Sequence, residues 1–156
     1  MNAKCNLVTV LLLCCLIFPG NAQEFNWQDL VNHKQYAAVI ARADSLTPAD
    51  SSDYEVMNAI GQAYEGMLRY RQAYDYYRLC LCMDTTNLDI LNTLARTATN
   101  LGKAKDAEFY FHKVLAADSL NFYANYQLAR LYFQLGEYEK AVDKYEKLQA
   151  QNEGNT

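Results

Sequence analysis

A period of 34 residues constrains this chain more than any other feature it has. Tyr54, Leu88 and Phe122 are spaced by that interval, and the columns after them keep one chemistry each. Ile60, Leu94 and Leu128 are branched aliphatics, followed by the small residues Gly61, Ala95 and Ala129 and then by Tyr64, Ala98 and Tyr132. A second block repeats Tyr70, Ala104 and Tyr138, then Ala73, Ala107 and Ala141, then Tyr77, Phe111 and Tyr145. A fixed period of this length is the signature of stacked supersecondary units, each burying its apolar face on its neighbours.

Within a unit the spacing is helical. Ile60, Tyr64 and Met67, and after them Tyr70, Ala73, Tyr77 and Cys80, recur at three and four residues, which is one face of an α-helix. Asp53, Asn87 and Asn121 precede the units and suit helix N-caps, their side-chain oxygens accepting from otherwise unpaired backbone N–H groups. Leu101-Gly102 and Leu135-Gly136 mark the turn between two helices, because glycine takes the left-handed conformation that ends a helix. With two prolines, six glycines and 51% hydrophobic residues, the composition favours helix as well. The small columns then read as the place where Gly61, Ala95 and Ala129 face Ala73, Ala107 and Ala141 at close helix approach. The repeat-column tyrosines Tyr64, Tyr70, Tyr77, Tyr132, Tyr138 and Tyr145 are assigned to packing around that contact.

This pattern resembles the tetratricopeptide repeat, with its small residue in the middle of the first helix, alanine early in the second and aromatics flanking both. The resemblance covers Tyr54 to about Asn155 and implies an all-α fold, a right-handed α-solenoid of antiparallel helix pairs. The units are 54–87, 88–121 and 122–155. Two departures are minor: Met57, Leu91 and Asn125 replace the tryptophan often found early in the first helix, and Thr85, Ser119 and Glu153 replace the inter-repeat proline. Residues 23–53 look like a degenerate N-terminal hairpin acting as a cap, with Trp27, Leu30 and Val31 in a first helix and Tyr36, Val39, Ile40 and Ala43 in a second.

Ahead of the repeats, Leu7 to Phe18 form an apolar run interrupted only by Thr9, after Lys4 and before Pro19, Gly20, Asn21 and Ala22. That is the form of a secretory signal peptide spanning residues 1–22, with the small residues Gly20 and Ala22 where a peptidase reads. A membrane span needs roughly twenty apolar residues, so the run is too short for an anchor. A lipoprotein signal would use Cys14 or Cys15, but Leu13 stands where a small residue is wanted. The expected location is the periplasm or the extracellular space, with no membrane span in the mature chain. Cleavage leaves Cys80 and Cys82, whose side chains on a helix point about 200° apart, which disfavours a bridge between them.

No catalytic constellation emerges: there is no glycine-rich phosphate loop, no nucleophile elbow and no helical His-Glu-x-x-His. His33 and His112 are not placed to complete a zinc site, and no cofactor is expected. His112 reads as a solvated surface residue and Cys80, sharing a column with Val114 and Leu148, as a buried small hydrophobe. Asp50 and Asp53, or Asp84 and Asp89, fall in turns where capping suffices. A formal charge of -4 gives no electrostatic footprint for nucleic acid.

The resemblance implies that the first helices line a concave groove. Its positions are Glu55, Asn58, Gln62 and Glu65 in the first unit, Asp89, Asn92, Arg96 and Thr99 in the second, and Tyr123, Tyr126, Arg130 and Phe133 in the third. Packing does not require such varied polar and aromatic residues, so the groove is the expected surface for a protein or peptide partner. Arg96 and Arg130 among aromatics have the composition of binding hot spots. The lysine-asparagine-arginine clamp by which some family members grip a terminal carboxylate is absent, since Asn58, Gln62, Thr93, Tyr123 and Gln127 stand at its places. The expectation is a non-catalytic interaction module; the alternative is a structural subunit that self-assembles, as a homodimer or within an envelope complex, through its open C-terminal end.

Overall fold

A computed structural model describes residues 26–46 and 53–153, with side chains up to residue 150. The expected signal peptide, Asp50 and the linking residues 47–52 lie outside the described residues. Those described form helices α1 (Trp27–Asn32), α2 (Tyr36–Ala43), α3 (Tyr54–Gly66), α4 (Tyr70–Met83), α5 (Leu88–Asn100), α6 (Ala104–Ala117), α7 (Phe122–Gln134) and α8 (Tyr138–Glu153). Each helix packs on the next, and α1 with α3 and α5 with α7 also touch, so that first helices lie side by side along one face. This is an α-solenoid, and none of the described helices is long and apolar enough to cross a membrane.

The helix starts are set by the capping residues. Asp53 accepts from the N–H groups of Glu55 and Val56, Asn87 from those of Asp89 and Ile90, and Asn121 from that of Ala124. The turns obey the repeat even where the sequence does not. Lys34, Leu68, Gly102 and Gly136 occur at one interval of 34 residues, and all four have positive φ, at 57°, 59°, 71° and 77°. The N–H one residue further on closes the same bond in every hairpin: Gln35 to the Leu30 carbonyl, Arg69 to Tyr64, Lys103 to Ala98 and Glu137 to Tyr132, at 2.8–2.9 Å. This is the Schellman arrangement that satisfies a helix C-terminus. The first hairpin, α1 with α2, therefore turns by the same device as the others.

The core runs the length of the stack through Met57, Ile60, Tyr77, Leu94, Phe111, Val114 and Leu128, and Val39 joins it from α2. The small columns are buried, but Gly61 does not face only an alanine. A Cβ built on it would lie 2.6 Å from Tyr77 Cε1, so the missing side chain makes room for a ring on α4. Two of the tyrosines assigned to packing are exposed rather than buried in the core. Tyr77 and Phe111 are each 1% exposed, whereas Tyr145 in the same column is 40% exposed and Tyr138 more so. No described helix lies beyond α8 to cover them. Leu131 on α7 is buried, while Val142 on α8 is exposed.

Candidate functional site

The inner face formed by α3, α5 and α7 carries the groove residues, and one column organises it. Gln62, Arg96 and Arg130 are separated by the repeat interval, and Gln28 of α1 extends the series by one more step of 34. Gln28 Nε2 donates to Gln62 Oε1 at 3.3 Å, which ties the first hairpin to the next along the groove. Arg96 reaches back instead to Glu65, both nitrogens of its fork donating to the two carboxylate oxygens, with Nη2 to Oε2 at 2.9 Å. The hydroxyl of Tyr77 donates to the same Oε2 at 2.9 Å. Burial opposes the Arg96 charge, yet the bonds to Glu65 outweigh it and hold the guanidinium above its ordinary value. The Tyr77 phenol is pushed up by burial and then by the Glu65 charge, so it stays a donor.

Arg96, expected as a partner contact, is thus already paired within the chain. Arg130 is not. Its guanidinium lies 5.8 Å from the Tyr126 ring centroid, and among the described residues no carboxylate pairs with it. The physical reason lies one unit back: the residue that corresponds to Glu65 is Thr99, whose hydroxyl donates to the Ala95 carbonyl at 3.0 Å.

Two adjoining hollows share Arg96 between α5 and α7. One, of about 390 Å³, is lined by Asp89, Asn92, Thr93, Arg96, Asn121 and Tyr123. The other, of about 440 Å³, is lined by Arg96, Thr99, Asn100, Gln127, Arg130, Leu131 and Gln134. In the first, Asn92 Oδ1 is buried and has no hydrogen-bond partner. The structure thereby brings together Asp89, Asn92, Arg96, Thr99, Tyr123 and Arg130 from the sequence-predicted set. Glu55, Asn58, Gln62, Tyr126 and Phe133 line neither hollow. Tyr126 stacks on Phe122 with centroids 6.3 Å apart, and Phe133 meets Tyr138 edge-on at 5.6 Å. Asn100 and Gln134 escaped the sequence reading, although two amides at the repeat interval just before the turn were a signal for them.

Elsewhere the chemistry is quiet. Burial pushes the Cys80 thiol up to about 11, which keeps it protonated, while Cys82 is exposed. His112 is exposed, its Nε2 3.1 Å from the Tyr132 hydroxyl, which donates to Glu108 Oε1 at 2.7 Å. Among the described residues no group of three or more His, Cys, Asp or Glu could hold a metal ion.

Comparison with known proteins agrees with this architecture. Tetratricopeptide repeat family profiles match residues 54–87 and 101–155, together more than half of the chain. No curated protein sequence matches. Among solved structures, a crystal structure of MamA protein is 19% identical, with a TM-score of 0.73 over 83% of this chain and 70% of that one. A second MamA crystal structure is 20% identical, with a TM-score of 0.71 over 81% and 74%. A tetratricopeptide repeat protein from Parabacteroides merdae ATCC 43184 is 21% identical, with a TM-score of 0.64 over 82% of this chain and 54% of that one. At such identities the likeness is one of fold. The chain carries tetratricopeptide repeats, in residues 54–87 and 101–155, and is built as a tetratricopeptide-repeat solenoid.

Proposed function

We propose that this protein is a non-catalytic interaction module that holds an extended segment of a protein or peptide partner between α5 and α7. One observation carries the reading. Asn92 Oδ1 is a buried acceptor without a donor, and leaving such a group unpaired costs about 1–3 kcal/mol. A leucine there would avoid that cost, and packing of the repeat does not call for an amide. Asn92 as a residue is only half-buried, so a turn of its side-chain amide presents the oxygen to the channel, where a backbone N–H of a bound segment would satisfy it. We read residues 23–53 as the N-terminal cap, followed by units 54–87, 88–121 and 122–155, in a chain exported by the leader 1–22.

The test is affinity capture from the envelope fraction of the source cell with the native chain and with Asn92→Leu. Loss of the captured protein with Asn92→Leu, the fold being retained, supports the reading; identical capture by both contradicts it.

A second reading, self-assembly through the C-terminal end, rests on Tyr145, which is 40% exposed where its counterparts Tyr77 and Phe111 are 1% exposed. It predicts a solution mass that rises with protein concentration and falls back to the monomer in Tyr145→Glu. A constant monomer mass removes it.

A further inference from the structure

Arg96 and Arg130 occupy equivalent places, and only one of them has a carboxylate. In the Arg96 case the acid is Glu65, on the preceding first helix and one residue before its end. In the Arg130 case the corresponding position on α5 is Thr99, too short and uncharged to serve. What stands beside Thr99 is the hollow of about 440 Å³, with Arg130, Gln127, Asn100 and Gln134 around it and no acidic residue in its lining. A guanidinium binds a carboxylate through two parallel charge-assisted hydrogen bonds, and amide N–H groups add further donors. The chain therefore contains, in Glu65 and Arg96, a worked example of the pair that Arg130 lacks.

We propose that the hollow beside Arg130 receives a carboxylate supplied by the bound segment, in the place that Glu65 fills for Arg96. The proposal rests on the groove reading and narrows its ligand to a segment with an acidic residue. The neighbouring hollow fixes where the rest of that segment lies. Asn92 and Thr99 are seven residues apart on one helix, which is about 10 Å along its axis. An extended chain advances about 3.3 Å per residue. The acidic residue thus lies about three positions from the backbone group that donates to Asn92 Oδ1. The carboxylate could belong to an Asp or Glu side chain or to a chain end; Glu65 as the internal template points to the side chain.

Random heptapeptide libraries, one C-terminally amidated and one with free carboxyl ends, are selected on the full chain, and the enriched peptides are measured by fluorescence anisotropy. Enrichment of Asp or Glu is expected in the amidated library. Affinity is expected to fall about tenfold or more in Arg130→Ala and in Thr99→Glu, which supplies the acid from within, and by no more than about threefold in Thr99→Gln, which adds the same bulk without the charge. Enrichment confined to the free-ended library would assign the carboxylate to a chain end. Enriched peptides without any acidic preference, or equal binding by Thr99→Glu and the native chain, would overturn the proposal while leaving the groove reading in place. Equal losses in Thr99→Glu and Thr99→Gln would also overturn it, as blockage by bulk alone. No enrichment in either library would overturn the groove reading itself. Helical circular dichroism and the unfolding midpoint of each variant separate loss of binding from loss of fold.

Discussion

Arg96 of the second unit holds both carboxylate oxygens of Glu65, a residue of the first, across the inner face of the solenoid. The Arg96 side chain is 42% exposed and that of Glu65 15%. Solvent screening therefore reduces the pair well below the value of a fully buried one. We expect a double-mutant cycle with Glu65→Gln and Arg96→Gln to give a coupling energy of about 1 kcal/mol, shrinking at high salt. Urea unfolding of the four proteins measures it. A coupling indistinguishable from zero would mean that the pair does not join the two units energetically.

Gly61 sits under the ring of Tyr77, whose hydroxyl is tied to Glu65. Alanine is the better helix former by about 1 kcal/mol, but its methyl group would force the ring aside. A net loss of about 1–2 kcal/mol is expected for Gly61→Ala, and a smaller loss when Tyr77 is already leucine. If Gly61→Ala raised the unfolding midpoint, the ring would have room to spare and the close approach would be refuted.

Leu68 holds φ at 59° in the turn where the later units have glycine. A left-handed residue with a Cβ is strained by about 1–2 kcal/mol, part of which glycine returns as chain entropy in the unfolded state. The Leu68 side chain is largely exposed and contributes little packing. Leu68→Gly should stabilise the protein by about 0.5–1 kcal/mol, read from thermal or urea unfolding. A lower midpoint would show that the leucine makes contacts worth more than the strain.

Among the described residues, the helix that begins at Tyr138 has one neighbouring unit where Ala104–Ala117 has two. Stability in a solenoid is a sum of units and nearest-neighbour contacts, so a unit with a single neighbour opens first. Hydrogen exchange should be faster for amides of 138–150 than for those of 104–117 in a dilute sample. Equal protection would contradict the exposed end, and protection that grows with concentration would support self-assembly through it.

Much of this arrangement is legible in the sequence because it repeats. The columns at Ile60, Leu94 and Leu128 and the caps at Asp53, Asn87 and Asn121 announce helix pairs, since each column experiences one environment three times. What the columns conceal is the relation between units. Arg96 and Arg130 look alike in their own column, and only the preceding Glu65 and Thr99 decide which guanidinium is free. Tyr77 and Tyr145 likewise share a position, yet a neighbouring helix buries the first and none among the described residues covers the second. The sequence of the Met67-Leu68 turn hides its φ for another reason: the Schellman bond from Arg69 imposes the left-handed conformation on a residue that does not favour it.

The central claim is that a partner lies in the channel between α5 and α7. Site-specific photo-crosslinking tests it most directly, with a photoreactive residue at Thr93 inside the channel, at Lys113 on the exposed side of α6, or at Tyr145 at the open end. Groove binding predicts an adduct from Thr93 that maps to one contiguous segment of the partner, and none from Lys113. Adducts from Lys113 with none from Thr93 would contradict it, and adducts from Tyr145 that join two copies of this chain, with Thr93 silent, would replace groove binding by self-assembly.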